Sequence, residues 1–283
     1  MKTTRKPAVA GYFYELNKER LLKQIEDCFK GPLGPGSLPE VSREGEGKIL
    51  ALVVPHAGYI YSGQAAAHAY YALAKDGKPK RIVIIGPNHR ALGAEVSIFA
   101  KGEWQTPLGN VPIDEELARR ILANSDIVKD DPVAHLYEHS IEVQLPFLQY
   151  LFGNDFSFVP IAVYNQTLPV GLHLGNVLAD VLSGERAVVI ASTDLTHYEA
   201  KAVAMEKDRM VIECVKSLNE TELYLNIGRH QITMCGPAGV ASAIVFGRKR
   251  GAKGGVLYKY YTSGDIIGDM LEVVGYASMG IIL

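Results

Sequence analysis

The chain has 283 residues, of which 48% are hydrophobic and 21% are charged, so it can bury a large core and is unlike a disordered segment. Its formal net charge of -2 provides no long-range field that would attract nucleic acid or an anionic membrane. The sequence shows no secretory signal and no apolar run long enough to cross a bilayer, and its three cysteines are too few for a disulfide framework. We therefore expect a cytoplasmic protein with no nucleic-acid or membrane partner.

Segments typical of strands and of helices alternate along the chain, which predicts crossover connections between strands. We expect an α/β fold, a single domain over residues 1–283 with a mixed, largely parallel central sheet and helices on both faces. In the first half we predict a helix over 18–30, a loop over 31–47, a strand over 49–55, a helix from Ser62 to Ala74, a strand over 82–85, a hairpin of 95–100 with 111–113 beside Trp104, and a helix capped by Asp114.

The second half continues the alternation. Residues 137–152 predict a helix that Pro146 kinks near Glu142, because proline removes an intrahelical hydrogen bond. We then predict a strand over 156–163, a helix over 168–182, a strand over 187–192, helices over 200–218 and 220–227, a helix that begins at Pro237, and strands over 255–262 and 271–282. No repeat of fixed period is present, which argues against a solenoid or a propeller.

Three predicted strands end close to a histidine. The strand over 49–55 ends at His56, the strand over 82–85 is followed by His89 in GPNH, and the strand over 187–192 leads to His197. Ligands of open α/β sheets bind beyond the carboxyl ends of the strands, so side chains placed there converge. Neutral imidazole is a common ligand of zinc, iron and copper. We therefore favour a shared site at His56 and His89 over two histidines that only stabilise turns.

Asp194 precedes His197 by three residues in STDLTHY. A carboxylate at this distance can orient an imidazole, and the imidazole can then act as a general base. The alternative is an aspartate or serine that caps the following helix. We favour the functional interpretation.

Cys235 differs from Cys28 and Cys214, which lie in predicted helices and fit small buried hydrophobic positions. It lies in MCGP at a predicted helix N-terminus, where the macrodipole is expected to lower the pKa of a thiol. Cys235 is therefore a candidate thiolate ligand or nucleophile, with a small turn residue as the alternative.

Four polar residues have helical spacing in the predicted kinked helix, namely His135, Glu138, His139 and Glu142. Their order does not match the zincin motif, in which two histidines flank a glutamate and a free pair. A solvated polar face would give the same pattern. We favour Glu138 and His139 as site residues because they begin the helix close to a loop.

Several common catalytic motifs are missing from the sequence. It contains no glycine-rich nucleotide or phosphate loop, no serine nucleophile elbow and no Cys-x-x-Cys pair. Nucleotide chemistry and serine hydrolysis are therefore disfavoured.

Six motifs follow one another along nearly the whole chain: RKPAVAGYFY at 5–14, PHAGY at 55–59, GPNH at 86–89, EHSIE at 138–142, STDLTHY at 192–198, and Cys235-Gly236. Together they resemble the Memo family, also called the AmmeMemoRadiSam system protein B family. That family is similar in fold to the class III extradiol dioxygenases, which use non-haem iron(II). The resemblance implies an extradiol-dioxygenase-like fold.

The resemblance also implies that His56, His89 and Cys235 stand at the family's metal site, with Asp194 and His197 lining the same pocket. It implies iron or copper binding and, in animal members, redox roles in cell motility and recognition of phosphotyrosine peptides. The dioxygenases complete their two-histidine site with a glutamate, whereas the matching position here is cysteine. Because a thiolate is softer than a carboxylate, the cysteine shifts the preference towards Cu(I), zinc or thiolate-bound iron.

Our leading hypothesis is a metal-dependent, dioxygenase-like oxidoreductase of unknown substrate. The predicted metal ligands are His56, His89 and Cys235, and the predicted catalytic residues are His197 as acid/base, Asp194 as the group that orients it or the substrate, Glu138 and His139. Iron or copper is the expected metal, with zinc as an alternative. The competing hypotheses are a non-catalytic binding module for a peptide or small metabolite, and a metallohydrolase. We expect a small-molecule or peptide ligand, and a homo-oligomer stays open.

Overall fold

The structure is a computed structural model that describes residues 3–43 and 45–283. Its helices are α1 (Lys18–Lys30), α2 (Tyr59–Asp76), α3 (Glu115–Ala123), α4 (Leu145–Phe152), α5 (Leu168–Val181), α6 (Lys201–Lys216), α7 (Glu220–His230), α8 (Pro237–Lys249) and the short α9 (Gly264–Ile267). Its strands are β1 (Thr4–Arg5), β2 (Ile49–Val54), β3 (Arg81–Pro87), β4 (Val96–Ile98), β5 (Glu103–Thr106), β6 (Gly109–Pro112), β7 (Lys129–Asp130), β8 (Val159–Val163), β9 (Ala187–Ser192), β10 (His197–Glu199), β11 (Gly254–Thr262) and β12 (Val273–Ile282).

Within the described residues, nine strands form the central sheet in the order β10-β12-β2-β9-β3-β8-β4-β7, and β11 pairs with β12. The four central strands β2, β9, β3 and β8 are mutually parallel, whereas β12 and β4 join them antiparallel. Each central strand is a run of buried apolar residues, as expected for a parallel sheet covered on both faces. The predicted α/β class with a mixed, largely parallel sheet is confirmed.

Two apolar layers cover the sheet. One packs side chains of α3, α5, α6, α7 and α8 against it, and the other packs α1, α2 and α4. The predicted helices on both faces are therefore present. A separate three-stranded sheet joins β1, β5 and β6 and ties the N-terminal residues to the body of the fold.

The predicted hairpin pairs the wrong segments. Val96–Ile98 lies in the central sheet against β8 and β7, and the hairpin is formed by β5 and β6. Its turn runs through Thr106, Pro107, Leu108 and Gly109, and Gly109 has a φ of +122°, which favours glycine. The proline and glycine of this turn were the signal for the true hairpin.

The predicted kinked helix over 137–152 is also wrong. Residues 137–141 are turns and irregular backbone, Glu142–Gln144 is a 3₁₀ turn, and α4 begins only at Leu145. Pro146 therefore lies in the first turn of α4, where its missing N–H has no intrahelical partner to lose. The backbone N–H groups of His139 and Ser140 instead donate to the Glu138 carboxylate, which holds the segment as a turn.

Of two predicted helix starts, one is confirmed and the other is wrong. Asp114 caps α3 as predicted, because its side chain accepts from the backbone N–H of Leu117. Helix α2 begins at Tyr59 rather than Ser62, and the Ser62 hydroxyl donates to the Ala57 carbonyl instead of capping. Across residues 3–43 and 45–283, none of the helices combines the length and the apolar character needed to span a bilayer.

Candidate metal centre

The carboxyl ends of β2, β3 and β9 open into one cavity of about 540 Å³. Parallel strands that start on one side of a sheet must end on the other, which brings the residues after them to a common edge. The lining of the cavity includes His56, His89, His139, Asp194, His197 and Cys235. The structure thus gathers all the predicted site residues around this cavity, with Glu138 directly behind His89.

Three histidines lie close enough together to hold one metal ion. One ring nitrogen from each of His56, His89 and His139 falls within 4.8 Å of the other two. The rings of His89 and His139 stack with centroids 4.6 Å apart, and the His56 ring stands edge-on to both. His56 is buried, whereas the other two are partly accessible from the cavity. His139, a catalytic candidate from the sequence, therefore joins His56 and His89 in space.

The hydrogen bonds around Ser192 fix the tautomer of His56. The Ser192 hydroxyl donates to the Ser140 carbonyl at 2.6 Å and accepts from the Gln144 amide at 2.9 Å. Its only hydrogen is thus committed, so at 3.0 Å from His56 Nδ1 it must accept a hydrogen bond from that nitrogen. Consequently His56 Nε2 carries a free lone pair.

Glu138 fixes His89 in the same way. Its Oε1 accepts from His89 Nδ1 at 3.0 Å, while its Oε2 accepts from the His89 backbone N–H at 2.6 Å. Burial alone would raise the pKa of Glu138, but the hydrogen bond and charge of His89 hold it well below the usual range. The carboxylate is therefore ionised and occupies Nδ1, so Nε2 is the nitrogen of His89 that a metal can reach.

Burial keeps two of the three imidazoles uncharged. Burial, with the neighbouring histidines, lowers the pKa of His56 well below its ordinary value. Burial also lowers the pKa of His139 to about 4, although Glu138 acts in the opposite direction. Neutral imidazoles whose Nδ1–H groups are held by a carboxylate or hydroxyl are the form in which histidine binds metals. The residues present thus fit a transition-metal ion.

His197 and Cys235 line the same cavity and contact each other. The carbonyl of Thr233 can only accept, so at 2.9 Å it fixes the His197 proton on Nδ1. His197 Nε2 is then the ring nitrogen that faces the thiol, and it lies 3.5 Å from Cys235 Sγ. In residues 3–43 and 45–283, Cys235 belongs to no set of three groups close enough to share a metal ion.

The expected low pKa of Cys235 is wrong. Burial raises the pKa of this thiol above its ordinary value, and the nearby Asp194 carboxylate adds to the effect. The helix N-terminus is occupied differently, because the Gly236 N–H donates to Thr193 Oγ1 and the Cys235 N–H to the Asp194 carbonyl. The macrodipole argument therefore fails because the thiol faces a buried carboxylate and little water.

Asp194 contacts His56 and does not orient His197. Its Oδ1 accepts from the His56 backbone N–H at 2.7 Å, and its Oδ2 lies 4.0 Å from His56 Nε2. Burial raises the pKa of this carboxyl. The group that orients His197 is the Thr233 carbonyl, which the sequence had not indicated. Asp194 stays a candidate for contact with a ligand or metal in the cavity.

Two members of the predicted polar face lie away from the cavity wall. His135 is buried between Phe99 and Trp104, and neither of its ring nitrogens has a hydrogen-bond partner. Glu142 is fully buried and pairs with Arg5. His135, Glu138, His139 and Glu142 therefore do not share one face of a helix, although their spacing in the sequence predicts this.

Because His135 is buried, we expect the free energy of unfolding to depend on pH. Burial lowers its pKa to about 3, so between that pH and about 6.5 the unfolded chain binds a proton that the folded chain does not. The free energy of unfolding should therefore fall as the pH is lowered through this window, with a contribution of up to about 1.4 kcal/mol per pH unit. Urea unfolding of His135→Phe at several pH values should show a smaller slope than wild type. His230→Asn, at an exposed position, should not change it, and an unchanged slope in His135→Phe would contradict the assignment.

The fold and the site together define an α/β protein with a histidine-rich pocket at the carboxyl edge of a largely parallel sheet. A family model described as "Memo-like protein" matches residues 5–280, and the chain belongs to that family. A MEMO1 family protein of Caldivirga maquilingensis is 46% identical over 278 residues, which cover 98% of both chains. A MEMO1 family protein of Methanopyrus kandleri is 47% identical over 277 residues, covering 97% of this chain and 98% of that one. The resemblance drawn from the motifs is confirmed.

A solved structure shares the fold at low sequence identity. It is the crystal structure of the uncharacterized protein JW3007 from Escherichia coli K12, with a TM-score of 0.56 and 16% identity. The match covers 82% of this chain and 99% of that chain. It supports the architecture alone.

Proposed function

We propose that this protein is a metal-dependent oxidoreductase that acts on a small molecule held in the cavity. The observation that carries the proposal is the set of three histidine rings whose nitrogens converge at one side of a cavity of about 540 Å³. A redox-active ion bound there would exchange electrons with the substrate or with oxygen. Iron or copper is the proposed metal, and zinc would restrict the site to non-redox chemistry.

His56 and His89 are the proposed ligands common to every version of the site. Distance favours His139 as the third ligand, because its ring nitrogen already lies within 4.8 Å of the other two. Ligand softness favours Cys235 for Cu(I), since a thiolate prefers soft ions. Cys235 would first have to give up its contact with His197.

His197 is the proposed acid/base. Its Nδ1 proton is held by Thr233, so Nε2 is the atom that can accept a proton inside the cavity. The thiol proton of Cys235 lies within reach of the same nitrogen. Asp194, at the base of the cavity, would orient the substrate or balance the charge of the ion.

A non-catalytic binding module is the second candidate function. The observation in its favour is the exposed aromatic rim of the cavity, where Tyr12 is 89% and Tyr198 is 73% accessible. Such rings could hold a peptide or a metabolite without turnover. We propose a cytoplasmic location and a small-molecule or peptide ligand in either case.

Oxygen uptake tests the choice between these functions. The protein loaded with Fe²⁺ or Cu²⁺ is screened against catechols and thiols, with metal-free protein and His89→Ala as controls. Sustained oxygen consumption or substrate loss that needs both the metal and His89 supports the oxidoreductase. Binding without turnover across the panel contradicts it and favours the binding module. Chelator-sensitive cleavage of esters or amides instead would favour a metallohydrolase.

A further inference from the structure

A fully buried ion pair joins the N-terminal segment to the turn that carries Glu138 and His139. Arg5 pairs with Glu142, and neither side chain is accessible to solvent. Arg5 begins the segment of residues 5–14, which we call the N-terminal strap, and Glu142 ends the turn of residues 135–142, which we call the histidine turn. The pair therefore couples two pieces of chain that are more than 130 residues apart.

Arg5 holds the backbone of the histidine turn at two further points. Its Nε donates to the His135 carbonyl at 2.9 Å, and a terminal nitrogen donates to the Glu138 carbonyl at 2.6 Å. The guanidinium also lies over the Trp104 ring, 4.2 Å from its centroid. Only a planar group with several fixed donors can make these contacts together. One side chain of the strap thus holds the histidine turn at three points.

Glu142 holds the strap in return. Its carboxylate accepts from the backbone N–H groups of Ala8 at 2.7 Å and Val9 at 3.1 Å, and from the Tyr14 hydroxyl at 2.6 Å. The strap so fixed places the Phe13 ring 4.7 Å from the His139 ring. The Phe13 carbonyl also accepts from the Tyr59 N–H, which begins helix α2 beside His56.

Stability alone does not explain this arrangement. A buried ion pair costs desolvation energy that apolar side chains of similar volume would avoid, so a role in fixing the geometry of the two segments is the alternative to a role in stability. The two elements that it joins both reach the cavity, one through His139 and the other through Tyr12 and Phe13.

We propose that Arg5 and Glu142 are positioning residues of the metal centre, which set the place of His139 and of the aromatic wall next to it. This inference rests on the proposed metal site. It makes the N-terminal strap part of that site, although none of its residues is a candidate ligand.

The test compares Arg5→Lys with Arg81→Lys. Lysine keeps the charge but loses the fork that reaches the two carbonyls, whereas Arg81, with its partners Asp114 and Glu185, is a matched control outside the cavity. NMR of protein with ¹⁵N-labelled histidine reports the tautomer of each ring without metal. His139 Nδ1 lies 3.3 Å from Glu138 Oε1, which favours the tautomer with its hydrogen on Nδ1. We expect His139 to change from this tautomer to an averaged signal in Arg5→Lys alone, with His56 unchanged, and Co²⁺ affinity to fall about 10-fold.

A second variant is needed in case Arg5→Lys misfolds. In Arg5→Met with Glu142→Gln no buried charge is left unpaired, and the same loss of a fixed His139 is expected. A fixed His139 tautomer in both Arg5 variants, or an equal change in Arg81→Lys, would overturn the inference. Wild-type protein that binds no Co²⁺ would instead refute the metal site, and the NMR comparison would still decide the positioning role.

Discussion

Replacing His56 or His89 by alanine is expected to weaken metal binding more than about 100-fold, because loss of an outer-shell partner alone typically costs 10- to 100-fold. Both residues belong to the set of three converging histidines and to the predicted metal site. Titration with Co²⁺, followed by visible absorption and metal analysis after gel filtration, measures the effect. His173→Ala is the control, since its side chain contacts Ser125 away from the cavity and should leave binding unchanged.

Equal metal content in wild type, His56→Ala and His89→Ala would refute the site. The same titrations identify the third ligand. We expect His139→Ala to weaken Co²⁺ binding and Cys235→Ala to weaken Cu⁺ binding, because imidazole suits the harder ion and thiolate the softer one. A sulfur-to-cobalt charge-transfer band that disappears only in Cys235→Ala would instead make the cysteine a ligand of both.

Glu138→Ala is expected to destabilise the fold by about 3 kcal/mol or more and to abolish metal binding. The carboxylate accepts from the backbone N–H groups of His89, His139 and Ser140, and each buried donor left without a partner costs about 1–3 kcal/mol. It also holds His89 Nδ1. Denaturant unfolding and Co²⁺ titration measure the two effects.

Two matched variants accompany this prediction. Glu138→Gln keeps the shape and part of the acceptor capacity, so we expect a smaller loss of stability and a 10- to 100-fold loss of metal affinity. Glu185→Ala removes a carboxylate that pairs with Arg81 and Arg120 far from the cavity, and it should leave metal binding intact. A Glu138→Ala protein as stable as wild type, with normal metal binding, would show that the carboxylate has no role in the site.

The strand-end histidines could be predicted because the information is local. An apolar run that stops at a small residue and a histidine specifies both the strand and the place of the imidazole, and parallel pairing then brings His56 and His89 together. The same reasoning identified the α/β class. Asp114 as a helix cap was predicted for the same reason, because its partner lies three residues away.

The segment over 135–142 could not be predicted from its own residues. Its helical spacing is real, but the backbone donors that a helix would use are taken by Glu138, and Arg5 holds its carbonyls from the far end of the sequence. Gly86 allows this packing, because a Cβ there would lie 2.4 Å from Ser140 Oγ. Contacts of such long range leave no periodic signal, so the grouping of His139 with His56 and His89 needed the structure.

The raised pKa of Cys235 was missed for a related reason. Its position before α8 suggested a thiolate, whereas burial and Asp194 act in the opposite direction. The sequence shows that a helix begins at Pro237, but not which charged group lies next to the thiol.

The hydroxyl of Ser192 has a consequence for what can enter the cavity. Its hydrogen points to the Ser140 carbonyl, so the chain of donors runs from the Gln144 amide and from the His56 ring towards the backbone and cannot reverse without breaking that bond. The side of His56 that faces the cavity therefore offers an electron pair and no proton. His89 and His197 are held with the same polarity by Glu138 and Thr233. A cation, or a group with a hydrogen to donate, therefore finds an acceptor at His56, whereas a group that needs a hydrogen bond from this ring finds none.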